Sequence, residues 1–275
     1  MAFHGLEVCS KAQVCPPDDR RGAGRKEIYM IAIENLDEIA IVRLNNGVTN
    51  AIGPALVKDL SDALDTMKGE AKGMVLAGGE KFFSIGFNLP ELRKLDRPGM
   101  GDFFYEFNQD VFRIFTLPFP TACAMTGHAI AGGTILSLGC DYRFLADGKK
   151  LMGLNEIKLG VPVPYLCDLI LRQVAGDRAA TEIVYSGEFI EPDQALEIKL
   201  VDEICPLKEV EACAVEKVSE LAKFPRQAFE AIKENRVEAV RRSYEKNYRV
   251  KNDIFLDCWF SEPVQRLLAK AAEKF

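Results

Sequence analysis

The chain has 275 residues, 48% hydrophobic and 28% charged, with a net charge of −6. That balance belongs to a globular protein with a real core, in one large domain or two small ones. The acidic sum argues against a nucleic-acid-binding face as the main activity, because phosphate contacts need clustered Lys and Arg.

Residues 1–27 read as a flexible lead-in. Pro16-Pro17-Asp18-Asp19 and Gly22-Ala23-Gly24 punctuate it, acids and bases mix, and no apolar core marks a signal peptide. Met30 is a second candidate start. Ile28 to Ile33 and Ile39 to Leu44 are β-branched runs separated by Asn35 to Glu38, the pattern of a hairpin. Pro54 opens a helix with Leu56, Leu60, Ala63, Leu64 and Met67 on one face, and Gly69 and Gly73 bracket its end. Met74 to Ala77 is a short buried strand.

Asp102 to Leu117 reads as a helix with a phenylalanine-rich face (Phe103, Phe104, Phe107 and Phe115), stopped by Pro118 and Pro120. Pro120 to Met125 is extended and leads into a glycine turn, Gly127 to Gly133. Thr134 to Leu138 then reads as a buried helix. Tyr142 to Ala146 is a strand, and Leu151 to Gly153 a shorter one. From Pro164 the chain is mostly helical: Tyr165 to Val174, Arg178 to Tyr185, Pro192 to Glu197, Leu207 to Lys223, Arg226 to Arg242 and Ile254 to Lys270, with a late strand at Val201 to Ile204. The class is α/β with a helical C-terminal third.

The eight cysteines form no C-x-x-C pair, and the two histidines, His4 and His128, are far apart. This argues against a zinc site and for reduced thiols in a cytoplasmic protein. No apolar run is long enough to span a membrane.

Three stretches carry candidate chemistry. The turn Gly127 to Gly133 leads into a helix, and a helix N-terminus offers unpaired N–H donors to developing negative charge. Taken alone, this stretch is better read as an ordinary tight turn between a strand and a helix. A second turn, Lys81 to Leu89, follows the strand Met74 to Ala77. If the two strands neighbour each other in a sheet, each turn can give one backbone N–H to the same oxygen. Neither turn is a dinucleotide fingerprint or a P-loop. The third stretch, Gly153 to Gly160, holds Glu156 among apolar residues. Burial there makes it a candidate base; exposure makes it a surface partner for Lys158.

In chain order these stretches read F-F-S-I-G-F-N-L from Phe82, G-H-A-I-A-G-G from Gly127, C-D-Y-R-F-L-A-D from Cys140 and G-L-N-E-I-K-L-G from Gly153. Each motif is weak alone, but the ordered set is specific. From about Ile28 to its C-terminus the chain resembles the enoyl-CoA hydratase/isomerase (crotonase) superfamily. The resemblance implies an acyl-CoA ligand with no other cofactor and no metal. It implies a crotonase-like spiral of ββα units over 28–205, and C-terminal helices over 206–275 that assemble a homotrimer or a hexamer.

It also implies site residues. Phe87 N–H and Gly132 N–H map to the oxyanion donors, and Glu156 to a catalytic carboxylate. Ser84, Gly86, Asn88, Leu89, His128 and Asn155 fall around them, with His128 lining the pocket and Asn155 orienting Glu156 or capping its turn. Val48 and Ala51 match a loop along the CoA chain, and Phe260 a C-terminal aromatic near the ligand. Hydratases of the family carry a second glutamate three residues beyond the oxyanion glycine; here that residue is Ile135. One carboxylate lost and one kept is the pattern of the Δ3,Δ2-enoyl-CoA isomerases. A hydratase or thioester hydrolase would need another polar group, for which Glu106 and Asp110 are candidates. A catalytically weak acyl-CoA-binding protein is the third reading.

Overall fold

The computed structural model describes residues 29–67 and 71–273. The lead-in expected over 1–27, and Gly69, lie outside them. Strands β1 (Ile31–Leu36) and β2 (Ile39–Leu44) form an antiparallel hairpin. Its turn is two residues, tighter than the four expected, because Asp37 takes a left-handed conformation with φ 54°, which Asp tolerates better than most side chains. Side chains alternate along β2: Ala40 and Val42 enter the larger core, Ile39 and Ile41 a smaller one on the opposite face.

Helix α1 (Pro54–Thr66) returns the chain to the sheet. A unit of long strand, short strand and helix then occurs three times. The first is β3 (Gly73–Ala77), β4 (Phe82–Ser84) and helices α2 (Leu89–Leu92) and α3 (Arg97–Phe115). The second is β5 (Thr121–Met125), β6 (His128–Ile130) and α4 (Gly132–Leu138). The third is β7 (Tyr142–Ala146), β8 (Met152–Gly153) and α5 (Glu156–Leu159). The long strands and β9 (Glu203–Cys205) form one sheet in the order β1-β2-β3-β5-β7-β9, parallel except for the first pair. The short strands form a second, parallel sheet, β4-β6-β8. This is the spiral of ββα units.

Helix α3 starts five residues earlier than expected. Asp96 accepts the Gly99 N–H at 2.9 Å and so caps an N-terminus that Gly99 and Gly101 had disguised as a loop. Helix α6 (Tyr165–Ser186) contains both helices expected there, separated by a break at Gly176, where φ is 82°. Helices α7 (Pro192–Glu197) and α8 (Val210–Ala222) follow.

The two helices expected over Arg226–Arg242 and Ile254–Lys270 are divided differently. Helix α9 runs unbroken from Arg226 to Trp259, and α10 (Glu262–Ala272) starts after Ser261. The polar stretch between the two expected helices stays helical because Tyr244 and Tyr248 pack on the aromatic side chains of α3, so tertiary contacts outweigh a weak apolar pattern.

Helix α8 covers one face of the main sheet with Val210, Ala214 and Val218. The approach is close: a Cβ at Gly73 would lie 2.2 Å from Val218 Cγ1. The Cys140–Arg143 motif proves to be a fastener. Asp141 accepts from Thr121 N–H at 2.9 Å and from Lys233 Nζ of α9 at 2.8 Å. The buried Arg143 guanidinium donates to the carbonyls of Leu200 and Cys140 and to Asp202, so each nitrogen of a costly buried charge has a partner.

Candidate active site

Because β4, β6 and β8 run parallel, the chain leaves all three at one edge of the small sheet. The residues that follow are Ile85 to Phe87, Ala131 to Gly132, and Leu154 to Glu156. The two turns were expected directly after β3 and β5. Each instead contains a three-residue strand, and the second sheet holds the turns and Glu156 in register.

The first turn is braced from below. Ser84 Oγ donates to the Asn50 carbonyl at 2.7 Å and accepts the Gly86 N–H at 3.1 Å. The Ile52 N–H donates to Gly86 O, and the Asn88 N–H to Ile52 O. Gly86 has φ 92°. A Cβ there would meet Ile130 O at 2.9 Å and Gly132 N at 3.0 Å, so the two turns touch through bare backbone.

In the second turn Ala131, not a glycine, has φ 47° and ψ −113°. Such a conformation costs about 1–3 kcal/mol and persists only where neighbours impose it. Here the Ala131 N–H is held by Gly153 O at 2.8 Å. Gly132 is the first residue of α4. Among the described residues, neither the Phe87 N–H nor the Gly132 N–H donates a hydrogen bond.

Glu156 opens α5 and is 6% exposed. Burial raises its pKa from the usual carboxylate range to about 7, against a smaller opposing pull from a backbone hydrogen bond. Its Oε2 has no hydrogen-bond partner. Lys158, the partner a surface reading would assign it, pairs with Glu188 at 2.7 Å instead.

A cavity of about 420 Å³ joins these pieces. Phe87, Leu89, Gly132, Ile135, Asn155 and Glu156 line it. So do Ile85, Ile130, Ala131, Lys158, Leu159, Val161, Pro164, Phe189, Phe255, Trp259 and Ala271, which the sequence reading did not assign to the site. Phe255 and Trp259 are spaced i, i+4, so one helix face was visible in the sequence. What that face meets was not.

Several other expected site residues do not line the cavity, and Asn155, which does, takes neither of its expected roles. Ser84 and Gly86 support the turn. Asn88 caps α2, its side chain accepting the Glu91 N–H. Val48 is exposed, and Ala51 is buried with its carbonyl accepting from Asn46 Nδ2. His128 does not line the cavity. Its Nδ1 accepts the Leu151 N–H at 3.0 Å, and its ring lies against Phe82. The Asn155 side chain neither caps α5 nor bonds Glu156, and its Oδ1 has no partner. Phe260 packs against the core, and the neighbouring Trp259 occupies the cavity wall instead.

Neither extra carboxylate considered for a hydratase lines the cavity. Glu106 is exposed. Asp110 is fully buried where α3 meets α1, accepts from Ser61 Oγ at 2.6 Å and is raised to about 7 by burial. Spacing argued against a zinc site, yet the fold brings Glu203, Cys205 and Cys213 together, with ligand atoms within 4.8 Å of one another. That cluster lies where α8 meets β9, and none of its residues lines the cavity. No helix among the described residues is long and apolar enough to cross a membrane.

Residues 34–274 match the profile of the enoyl-CoA hydratase/isomerase family. Among curated proteins, a putative enoyl-CoA hydratase of Thermus thermophilus is 32% identical over 198 residues, covering 68% of this chain and 77% of that protein. Human mitochondrial enoyl-CoA delta isomerase 1 is 25% identical over 191 residues, covering 68% of this chain and 63% of that protein. Among solved structures, human mitochondrial delta3-delta2-enoyl-CoA isomerase superposes with a TM-score of 0.84 at 22% identity, over 89% of this chain and 97% of that one. This last likeness is one of fold.

Proposed function

The chain belongs to the enoyl-CoA hydratase/isomerase family, and from that premise we propose that it converts a 3-enoyl-CoA to the 2-enoyl-CoA with Glu156 as its one acid/base. The Glu156 carboxylate takes a proton from C2. The electron pair left behind delocalises into a dienolate whose charge rests on the thioester oxygen. Phe87 N–H and Gly132 N–H, free of other partners, bond that oxygen more strongly as it becomes charged, which is what accelerates the step. Glu156 then returns the proton to C4, and the double bond lies between C2 and C3. No water is activated and no redox partner is used. A carboxyl with a pKa of about 7 can both accept and give the proton near neutrality.

One observation carries the choice of reaction. Among the described residues lining the cavity, Glu156 is the only carboxylate. Adding water in the manner of the family's hydratases needs a second carboxylate to hold and protonate it. The resemblance puts the hydratases' other glutamate at Ile135, which is apolar and 1% exposed. The exposed Val48 and the Ala51 loop are assigned to the CoA chain outside the cavity. The division into a core over 28–205 and a trimer- or hexamer-forming region over 206–275 is part of the same proposal, and light scattering of the purified protein tests the assembly.

The deciding assay supplies 3-enoyl- and 2-enoyl-CoA thioesters and follows isomer formation and water addition separately. Isomerisation without hydration is expected. Hydration at a comparable rate would overturn the reading. Binding without any turnover would make this an acyl-CoA-binding protein.

A further inference from the structure

A second cavity, of about 320 Å³, lies against the one beside Glu156. The two share three lining residues: Val161, Pro164 and Phe255. Phe255 is 2% exposed. Its ring stacks on Phe104 with centroids 3.8 Å apart and planes 9° apart, and it stands 5.9 Å from Trp259. Phe104 lines only the second cavity and Trp259 only the first. A column of three aromatic rings therefore crosses the partition, with Phe255 in the middle.

We propose that Phe255 is the end wall of the acyl chamber and sets the longest acyl chain the protein accepts in full. The proposal rests on the acyl-CoA reading of the cavity and goes beyond it, because it assigns chain-length selection to one side chain. The wall is rigid. Phe255 sits inside the continuous helix α9 and is held between two aromatic rings. An apolar tail gains affinity with each methylene it buries, about fourfold per CH₂. That gain stops where the tail meets the Phe255 ring, since the next carbon must displace a packed aromatic group or turn back. Beyond the ring the second cavity is mostly apolar, with Val163, Val184 and Ile254 among its lining residues beside Asp168 and Lys251. Removing the ring would join the two chambers into one.

The test measures equilibrium binding of saturated straight-chain acyl-CoA thioesters of increasing length, which carry no double bond to move. For the native protein, affinity should climb by about fourfold per methylene and then break to a plateau or a fall. In Phe255→Ala the break should move several carbons longer, and in Phe255→Trp it should move shorter. Circular dichroism confirms that each variant is folded; if Phe255→Ala is not, Phe255→Leu replaces it with the same expected direction. An unchanged break point in the folded variants would overturn the proposal, as would a native affinity that climbs without a break through the longest chains. Failure to bind any acyl-CoA would instead overturn the reading of the site itself.

Discussion

Gly86 and Gly132 pack against each other so closely that a methyl group on Gly86 would lie 3.0 Å from the Gly132 nitrogen, and one on Gly132 would lie 3.2 Å from the Gly86 Cα. They belong to different ββα units, so two segments distant in sequence place their backbones side by side. The proposed donors, Phe87 N–H and Gly132 N–H, sit on this contact.

Replacing either glycine by alanine should therefore damage turnover more than folding. Gly86→Ala is the harsher change, because φ there is 92° and the new methyl meets backbone atoms. Loss of one donor of this kind lowers kcat by about 10²–10³-fold. Steady-state kinetics beside thermal melts will separate the two effects. A Gly86→Ala enzyme with native kcat would show that the contact does not align the donors.

Glu156→Gln should bind a saturated acyl-CoA nearly as well as the native chain and lose about 10²–10⁴-fold in isomerisation. Near-native turnover in this variant would place the base elsewhere.

The same residue links function to stability. Its pKa rises from 4.5 to about 7 on folding. Between those values the unfolded chain ionises while the folded one still holds the proton, so stability falls as pH rises through this window and the loss is complete above about pH 7. The full penalty is about 3 kcal/mol. Glu156→Gln escapes it, so the variant should be more stable than the native protein at pH 8 by roughly 1–3 kcal/mol and show no such gain at pH 4. Denaturant melts at the two pH values measure this. The native kcat/KM should rise with a one-proton dependence toward pH 7, since the base must be ionised to accept a proton.

Ile135→Glu puts a second carboxylate on the cavity wall. It should introduce measurable water addition to 2-enoyl-CoA and cost roughly 2–4 kcal/mol of stability, because the position is buried and the cavity already holds Glu156. A folded variant with no gain in hydration would show that Ile135 is not what withholds that reaction.

Lys233→Ala leaves Asp141 without its ammonium partner. Removing one member of a buried pair costs about 3–5 kcal/mol; Asp141 is 25% exposed, so roughly 2–3 kcal/mol is expected here. Urea melts will show it, while kinetics at low temperature should stay near native, since neither residue lines the cavity.

Much of the architecture was legible because its elements obey simple periods. The face of α1, the buried strands β3 and β7, and the proline that opens α7 all announce themselves locally. Of the small sheet only β8 was expected, as a short strand over Leu151 to Gly153. Its strands are two or three residues long, too short for any alternation, and they exist because neighbouring strands supply their hydrogen bonds. The stretch 243–253 of α9 fell in neither expected helix and is helix because α3 packs beside it.

The sequence alone determined the ingredients of this protein: two glycine turns, one glutamate among apolar neighbours, and an isoleucine where a second carboxylate could have stood. These are matters of residue type and order, and the chain states them directly. Only the tertiary structure decided that Gly86 touches Gly132, that Glu156 is buried enough to titrate near 7, that Asp110 faces α1 rather than the cavity, and that Phe255 and Trp259 arrive from a distant helix to line its wall. Proximity, desolvation and wall shape are properties of surroundings assembled from the whole chain, so no single stretch of it can carry them.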